Sequence, residues 1–223
     1  MKKILALLVV MCIFFSLAGC GEVGAPKASN SVREFTDSLG RTVSLPERIE
    51  KLALSGPLTQ IYVFPLCPEL LAGFSTAFSE DAEKYIPAEY LELPELGQLY
   101  GGKGTMNLEA LLAAAPDVVV DVGEAKGSMA EDLDKLTEQI GIPFVHINAT
   151  IASSPEAYRM MGELIGDSSK AEQLAVWCEK TLAAVNSCME KVDADGARKS
   201  GSAACRILAP AAVLLSWHRS RPV

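Results

Sequence analysis

The stretch Gly101–Gly123 reads GGKGTMNLEALLAAAPDVVVDVG and decides the fold of this chain. A glycine-rich loop leads into a short amphipathic helix, and Pro116-Asp117 separates that helix from a strand that begins with three valines. A strand that is apolar on consecutive residues is typical of a parallel sheet covered by helices on both faces. Open α/β sheets place ligand-contacting loops at the carboxyl ends of their strands. The stretch therefore predicts a parallel α/β lobe with a functional edge where Asp121, Gly123 and Glu124 emerge.

The segments on both sides of this stretch continue an alternation of strands and helices. A β-hairpin with a glycine turn is predicted over Phe35–Pro46, and Pro57 begins a helix that reaches Leu66. Further predicted elements are strands at 50–55, 70–74 and 143–147, a loop at 75–94 with a helical turn near 81–85, and a helix at 129–140. This order of elements is typical of a right-handed parallel α/β lobe.

From Ser154 onward the pattern is helical alone. One helix begins at Ser154 and stops at Gly166, and a longer one begins at Ser168 or Ser169. The apolar residues of the longer helix recur every three or four positions, at Ala171, Leu174, Cys178, Leu182, Val185, Met189 and Val192. This stripe spans about 24 residues, or roughly 36 Å of helix. A stripe of that length is longer than one small lobe and could bridge two.

The first twenty residues are not part of this fold. Lys2 and Lys3 precede the apolar run Ile4–Leu17, and Leu17-Ala18-Gly19-Cys20 follows at once, which resembles a bacterial lipoprotein signal. The resemblance implies that residues 1–19 are removed, that Cys20 is lipidated, and that residues 20–33 form a flexible tether outside the cytoplasm. Two or three acyl chains give stable membrane attachment. The alternative is an ordinary signal peptide or a signal anchor with a chance cysteine.

Charge and cysteine positions exclude several classes of protein. The stretch from Cys20 to Asp195 carries 28 acidic residues and 13 lysines and arginines, which argues against nucleic acid as a partner. Cys178 and Cys188 lie ten residues apart on one predicted helix, about 15 Å by helical rise and beyond disulfide reach. We therefore expect unpaired thiols.

The sequence predicts neither an enzyme nor a cofactor or metal site. His146 and His218 are the two histidines of the chain, and we expect His146 to pack or to form a hydrogen bond at a strand end. Lys103 lies in GGKGT, which does not satisfy the phosphate-loop pattern. No Ser-His-Asp or Cys-His set can be assembled with any specificity from the sequence.

Five parts of the chain together resemble the substrate-binding lipoproteins of ABC importers for iron–siderophores, haem and cobalamin. They are the hairpin FTDSLGRTVSLP, the segment LALSGPLTQIYVF, the unit GxGTMNLEALLAAAPDVVV, the strand GIPFVHI and the long helix. The resemblance covers about Glu34–Val192, and MNLE followed by APDVVV is its most specific part. It implies two α/β lobes joined by one rigid helix, with a metal chelate or tetrapyrrole bound in the cleft between them. It also implies a monomer whose partners are the permease and ATPase subunits.

The resemblance also implies roles for individual residues. The carboxylate of Glu109, in Met106-Asn107-Leu108-Glu109, would dock on arginines of the permease, although an exposed acid is also favoured in any first helical turn. The loop residues that would face the ligand are Ser55, Gly56, Pro57, Ser75, Phe78, Tyr100, Gly101, Gly102, Gly123 and Glu124. The aromatic face of Tyr100 suits a flat ligand, and the glycines allow a bulky ligand to approach the backbone. Packing within the loops is the alternative for each of them.

The chain departs from the family after the long helix. We divide it into an N-terminal α/β binding lobe at 34–152, a helical segment at 153–193 and a tail at 194–223. From Gly196 to Val223 the tail has no acidic residue and no strand–helix alternation, so we expect an out-of-frame translation after about Lys199, the alternative being a genuine divergent tail. Without a second lobe, half the ligand contacts would be lost, so we expect a disordered tail and an impaired binding protein. A one-lobed interaction protein without small-molecule cargo is the competing interpretation.

Overall fold

A three-stranded parallel sheet lies at the centre of the computed structural model, which describes residues 31–99 and 106–189. Its strands are β3 (Leu52–Leu54), β4 (Val118–Gly123) and β5 (Phe144–Asn148), with β4 in the middle. Every residue of β4 is buried, as expected for a central strand covered on both faces. The predicted parallel α/β lobe is therefore confirmed.

Six helices accompany the strands in the described residues. They are α1 (Pro57–Leu66), α2 (Ala88–Leu91), α3 (Leu108–Ala114), α4 (Met129–Ile140), α5 (Ser154–Ile165) and α6 (Ser168–Met189). Short 3-10 turns at Pro68–Leu70 and Glu80–Lys84 complete the set, and the second of them fulfils the predicted helical turn. No helix among the described residues is long and apolar enough to cross a membrane.

The sheet separates two apolar cores. On one face Val120 and Ile147 pack with residues of α1, α5 and α6, such as Met161. On the other face Val119 packs with residues of α3 and α4, such as Leu133. Successive residues of a strand point to opposite faces, so the valine run fills both cores at once.

The hairpin protects the open edge of the sheet. Strands β1 (Val32–Thr36) and β2 (Thr42–Pro46) pair antiparallel, and their turn lies against β5. The Ser38 amide donates to the His146 carbonyl at 2.9 Å, and the Asn148 amide donates to Ser38 Oγ at 2.9 Å. These bonds satisfy backbone groups of an outer strand that another chain could otherwise pair with.

A buried ion pair holds this turn in shape. Asp37 is buried, and its Oδ2 accepts from Arg41 Nε at 3.0 Å and from Arg41 Nη2 at 2.6 Å. The same guanidinium donates to the Phe144 carbonyl at 2.8 Å. The His146 amide donates to Asp37 Oδ2 at 3.2 Å, so the pair joins the hairpin turn to β5.

The predicted strand at 70–74 is wrong. Leu71 forms one isolated parallel bridge with Leu52, and Phe74 forms another with Glu95. The reason is that the segment changes partners: the Ala72 amide donates to Leu52 of β3, whereas the Phe74 amide donates to the Pro94 carbonyl. Neither pairing is long enough to make a ladder.

The long helix is only partly covered. Ala171, Ala175 and Cys178 are buried against the rest of the lobe, whereas Val185 is 41% exposed and Met189 is 63% exposed. The predicted apolar stripe is thus packed in its first half and open to solvent toward the carboxyl end of the described helix.

The cysteines within the described residues are free, as predicted. Cys67 and Cys178 are buried, and Cys188 is half-buried. Burial raises the pKa of the Cys67 thiol to about 12, so this side chain acts as a small apolar residue at neutral pH.

We expect Gly162→Ala to lower the free energy of unfolding by about 1–3 kcal/mol, as overpacking does. An added Cβ would meet the Cβ of Ala171 far inside contact distance and would lie 3.0 Å from the Asp167 carbonyl oxygen, so α5 and α6 would have to separate. Gly127→Ala is the control, because a Cβ there meets nothing within 4 Å. Urea denaturation of both variants measures the difference, and equal midpoints would contradict the close packing.

Candidate ligand-binding groove

A groove of about 730 Å³ opens at the carboxyl ends of the three parallel strands. Its floor is formed by Ser55 after β3, by the end of β4, and by Ala149 after β5. Its walls come from the loops that lead into α1, α4 and α5. The wall residues are Gly56, Pro57, Leu58, Thr59, Tyr62, Glu124, Lys126, Met129, Thr150, Ile151 and Ala152.

Five of the residues predicted to face a ligand line this groove: Ser55, Gly56, Pro57, Gly123 and Glu124. They come from two loops that are far apart in sequence, and the β3–β4 pairing brings them together. Gly123 has φ 157°, and Gly56 is in fully extended conformation with φ 177°. The predicted functional edge is therefore a real concavity.

Two other predicted residues lie outside the groove lining. Ser75 is buried, and its amide and hydroxyl donate to Gln60 Oε1 at 3.1 Å and 3.0 Å. Phe78 packs edge-on against Phe74 with ring centroids 4.5 Å apart and against Phe64 at 6.4 Å. Both make packing contacts of the kind considered as the alternative to ligand contact. Tyr100, Gly101 and Gly102 lie outside the described residues, as does Cys20.

A row of polar side chains lies in the groove floor and directly beneath it because of the strand register. Leu54 pairs with Val120, so Ser55 follows beside Asp121, and Asp121 pairs with His146. Ser55 Oγ donates to Asp121 Oδ1, and His146 Nδ1 lies 2.7 Å from Asp121 Oδ2. The row therefore joins the ends of all three strands, and the expected hydrogen bond of His146 is confirmed.

The first helix is connected to the same row. Thr59 Oγ1 accepts from the Val122 amide at 3.0 Å and lies 2.9 Å from Ser55 Oγ. Since Ser55 gives its own proton to Asp121, the Thr59 hydroxyl donates to Ser55. The result is a directed chain of hydrogen bonds that ends on the carboxylate.

This row is not a catalytic triad. In such a triad the imidazole lies between the nucleophile and the acid and takes the proton of the nucleophile. Here Asp121 lies between Ser55 and His146, and His146 is fully buried with Nε2 lacking a partner among the described residues. Within that part of the chain, no group of three or more His, Cys, Asp or Glu side chains could hold a metal ion.

The walls of the groove are largely apolar. Leu58 is 47% exposed and Ile151 is 82% exposed at its rim. The Tyr62 ring packs at a tilt against Tyr158 with ring centroids 5.4 Å apart, and the Tyr62 hydroxyl lies 2.7 Å from Ser154 Oγ, which fixes this wall. Burial raises the pKa of Tyr158 above its usual range, so the Tyr158 hydroxyl stays neutral.

Sequence reasoning missed Thr59, Tyr62 and Ile151 as lining residues. It placed Asp121 at the edge of the sheet but did not connect it with His146. The pair could have been found from the strand pattern: Asp121 is a polar residue within an apolar strand, and His146 is a polar residue at the paired position of the next strand. A buried polar residue in a strand needs a partner, and the neighbouring strand is the nearest source.

Glu109 is exposed in the first turn of α3. Asn107 caps this helix by accepting from the Ala110 amide at 3.0 Å, so the helix start in the MNLE motif is confirmed.

Comparison with solved structures identifies proteins that share this fold. An ABC transporter solute-binding protein from Sulfurospirillum deleyianum is 26% identical with a TM-score of 0.63, over 72% of this chain and 50% of that one. A molybdate-bound periplasmic binding protein from Haemophilus influenzae is 18% identical with a TM-score of 0.56, over 74% and 56%. The Staphylococcus aureus protein SirA, complexed with staphyloferrin B, is 17% identical with a TM-score of 0.52, over 74% and 53%.

These likenesses show that the described residues have the fold of a periplasmic binding protein lobe. This chain spans about half the length of the solved structures that it matches. No protein-family model matches the chain, and no curated protein matches it in sequence.

We expect Thr59→Val to lower the free energy of unfolding by about 1–3 kcal/mol, because the buried Val122 amide would lose its acceptor. The matched control is Thr42→Val on the exposed side of β2, where no such loss occurs. Thermal unfolding followed by circular dichroism measures both variants. A Thr59→Val protein as stable as the control would contradict the role of the hydroxyl.

Proposed function

We propose that this chain is the solute-binding component of an ABC importer and holds a metal chelate of the iron–siderophore, haem or cobalamin class in the groove. The observation that carries the proposal is the groove itself, which lies at the carboxyl ends of the strands and is lined by five of the predicted ligand-facing residues. The likeness to a solute-binding protein of an ABC transporter supports the same conclusion. The chelate class rests on the resemblance of the sequence motifs.

The chemistry of the groove favours binding over catalysis. The hydroxyl groups of Ser55 and Thr59 are engaged in the chain of bonds that ends on Asp121, and the imidazole beside that carboxylate is buried beneath the floor. A nucleophile needs an adjacent base that can accept its proton. Ser55 has a carboxylate acceptor but no imidazole in contact, so the floor acts as a fixed polar surface.

The apolar walls suit a ligand with an extensive organic surface. Leu58 and Ile151 already expose much of their side chains at the rim, so covering them with a ligand would remove apolar area from water. A chelate presents such a surface around its metal ion.

The proposal includes a location and a partner. Lipidation of Cys20 would hold the protein at the outer face of the cell membrane, with Glu109 presented to arginines of the permease. Exposure of Glu109 in a capped and therefore well-defined helix start is consistent with docking, since the carboxylate can be reached without any rearrangement. Arginine forms paired hydrogen bonds with a carboxylate of this kind.

We expect Ala152→Trp to weaken chelate binding by about tenfold or more, because the indole would fill part of the groove. Haemin, cyanocobalamin and a neutral ferric tris-hydroxamate are the probes, titrated by calorimetry. The control is Ala113→Trp, which makes the same change at an exposed alanine of α3 that does not line the groove, and this variant should bind as the unaltered chain does. The proposal fails if none of the three probes binds, or if both variants bind equally well.

We expect Glu109→Arg to abolish uptake while binding is retained, because the docking charge is reversed at a residue that does not line the groove. Uptake of the bound probe is measured in cells that carry the permease and ATPase, and binding is measured in solution. Glu138→Arg makes the same change at an exposed position on α4 and should leave uptake intact. Normal uptake with Glu109→Arg would reject the docking role without affecting the binding proposal.

A further inference from the structure

The groove floor contains a buried carboxylate whose partners are neutral. The Asp121 side chain is 6% exposed and lines the groove. Its Oδ1 accepts from the Ser55 hydroxyl, and its Oδ2 lies 2.7 Å from His146 Nδ1. The charges of the pair therefore depend on which nitrogen of His146 carries a proton.

The hydrogen bonds also assign the state of His146. A proton on Nε2 would belong either to a cationic ring or to a ring whose bare Nδ1 accepts from a protonated Asp121. Nε2 is fully buried and has no acceptor among the described residues. A buried N–H without a partner is costly, whereas a bare acceptor nitrogen is tolerated better. Nε2 is therefore unprotonated, so the proton of the pair lies on Nδ1 of a neutral imidazole, and the partners of Asp121 leave its negative charge uncompensated.

The other charged groups that line the groove in the described part of the chain alter the negative potential around Asp121 but do not reverse its sign. Glu124 and Lys126 are both exposed on the walls and carry opposite charges that water screens. The start of α1 contributes roughly half a positive charge, and its first turn contains no acidic residue. The first turns of α4 and α5 contain Glu131, Asp132 and Glu156, which oppose the dipoles of those helices.

We infer that the groove selects its ligand by charge, taking a neutral or cationic chelate that presents a hydrogen-bond donor to the floor and rejecting anionic ones. The apolar walls accept the organic body of the ligand, and the Asp121 carboxylate favours a hydroxyl, amide or ammonium group at its leading end. An oxyanion or a chelate with outward-facing carboxylates would meet a fixed negative charge in a site of low dielectric constant. This inference rests on the proposed function and narrows its ligand class to chelates without outward-facing anionic groups, which disfavours haem because of its two propionates.

The test compares two ferric chelates of similar size and geometry but different charge. A neutral ferric tris-hydroxamate and an anionic ferric tris-catecholate each carry the same metal ion. Gallium(III) replaces iron in both so that paramagnetism does not interfere. Each is titrated into the isotope-labelled chain, and the amide shifts of Val122, Gly123 and Thr59 report contact with the floor even when binding is weak.

We expect the hydroxamate to bind at least about tenfold more tightly than the catecholate, the size of effect that one poorly screened charge produces at short range. Equal binding, or tighter binding of the catecholate, would overturn the inference and leave the proposed function standing. If neither chelate shifts the floor amides, and neither haemin nor cyanocobalamin binds, the proposed function itself fails. The two failures are therefore distinguishable.

Charge variants test the assigned source of the preference. Asp121→Asn removes the charge at nearly constant shape and should reduce the preference for the neutral chelate. Since that change could disturb folding, Glu124→Gln on the exposed wall provides a second variant, with a smaller shift in the same direction. Glu138→Gln on α4 is the control. An unchanged preference in a folded Asp121→Asn protein would overturn the assignment. If Asp121→Asn does not fold, an unchanged preference in Glu124→Gln would overturn it.

Discussion

The carboxylate of Asp121 is the interaction on which both the sheet and the groove depend. It accepts from Ser55 at the end of β3 and from His146 on β5, while Thr59 extends the same chain of bonds into α1. If the carboxylate were absent, a buried hydroxyl and a buried imidazole N–H would both lose their acceptor, at a cost of about 1–3 kcal/mol each. The strand ends are therefore held in register by the same atoms that form the groove floor.

A second buried aspartate shows what is unusual about the first. Asp37 is also buried, but Arg41 neutralises it through two hydrogen bonds and at the same time reaches the Phe144 carbonyl. That pair is structural, since it joins the hairpin turn to the edge of the sheet. Asp121 has only neutral donors as partners, so its charge remains available to whatever enters the groove.

The main features of the lobe could be predicted from sequence because local signals determine them. The valine run requires a strand buried on both faces, Pro57 sets the start of α1, and Gly141 and Gly166 end their helices with positive φ of 73° and 77°. Asn107 caps the MNLE helix, because the oxygen of an asparagine side chain can accept from a free amide in the first helical turn. Each of these features depends on residues within one or two turns of chain.

The features that sequence reasoning missed depend on contacts between distant segments. The strand predicted at 70–74 has suitable residues, but the segment leaves β3 to pair with 94–96, and no local pattern shows that exchange. Ser75 is held by Gln60 of α1. To predict the row of Ser55, Asp121 and His146, one must know the register of three strands. The sequence could therefore place Ser55 and Asp121 at the edge of the sheet, but it could not show that they are joined to His146.

The burial of Asp121 also explains why the floor is suited to recognition. Moving a carboxylate out of water is unfavourable unless hydrogen bonds and nearby dipoles replace its hydration. Ser55 and His146 supply hydrogen bonds here, and the dipole at the start of α1 favours the negative charge. The Asp121 side chain keeps 6% of its surface exposed, and the protons of Ser55 and His146 are already directed to it. A ligand that brings its own donor can add a hydrogen bond to the Asp121 carboxylate. A ligand that brings another acceptor finds no free donor on Ser55 or His146.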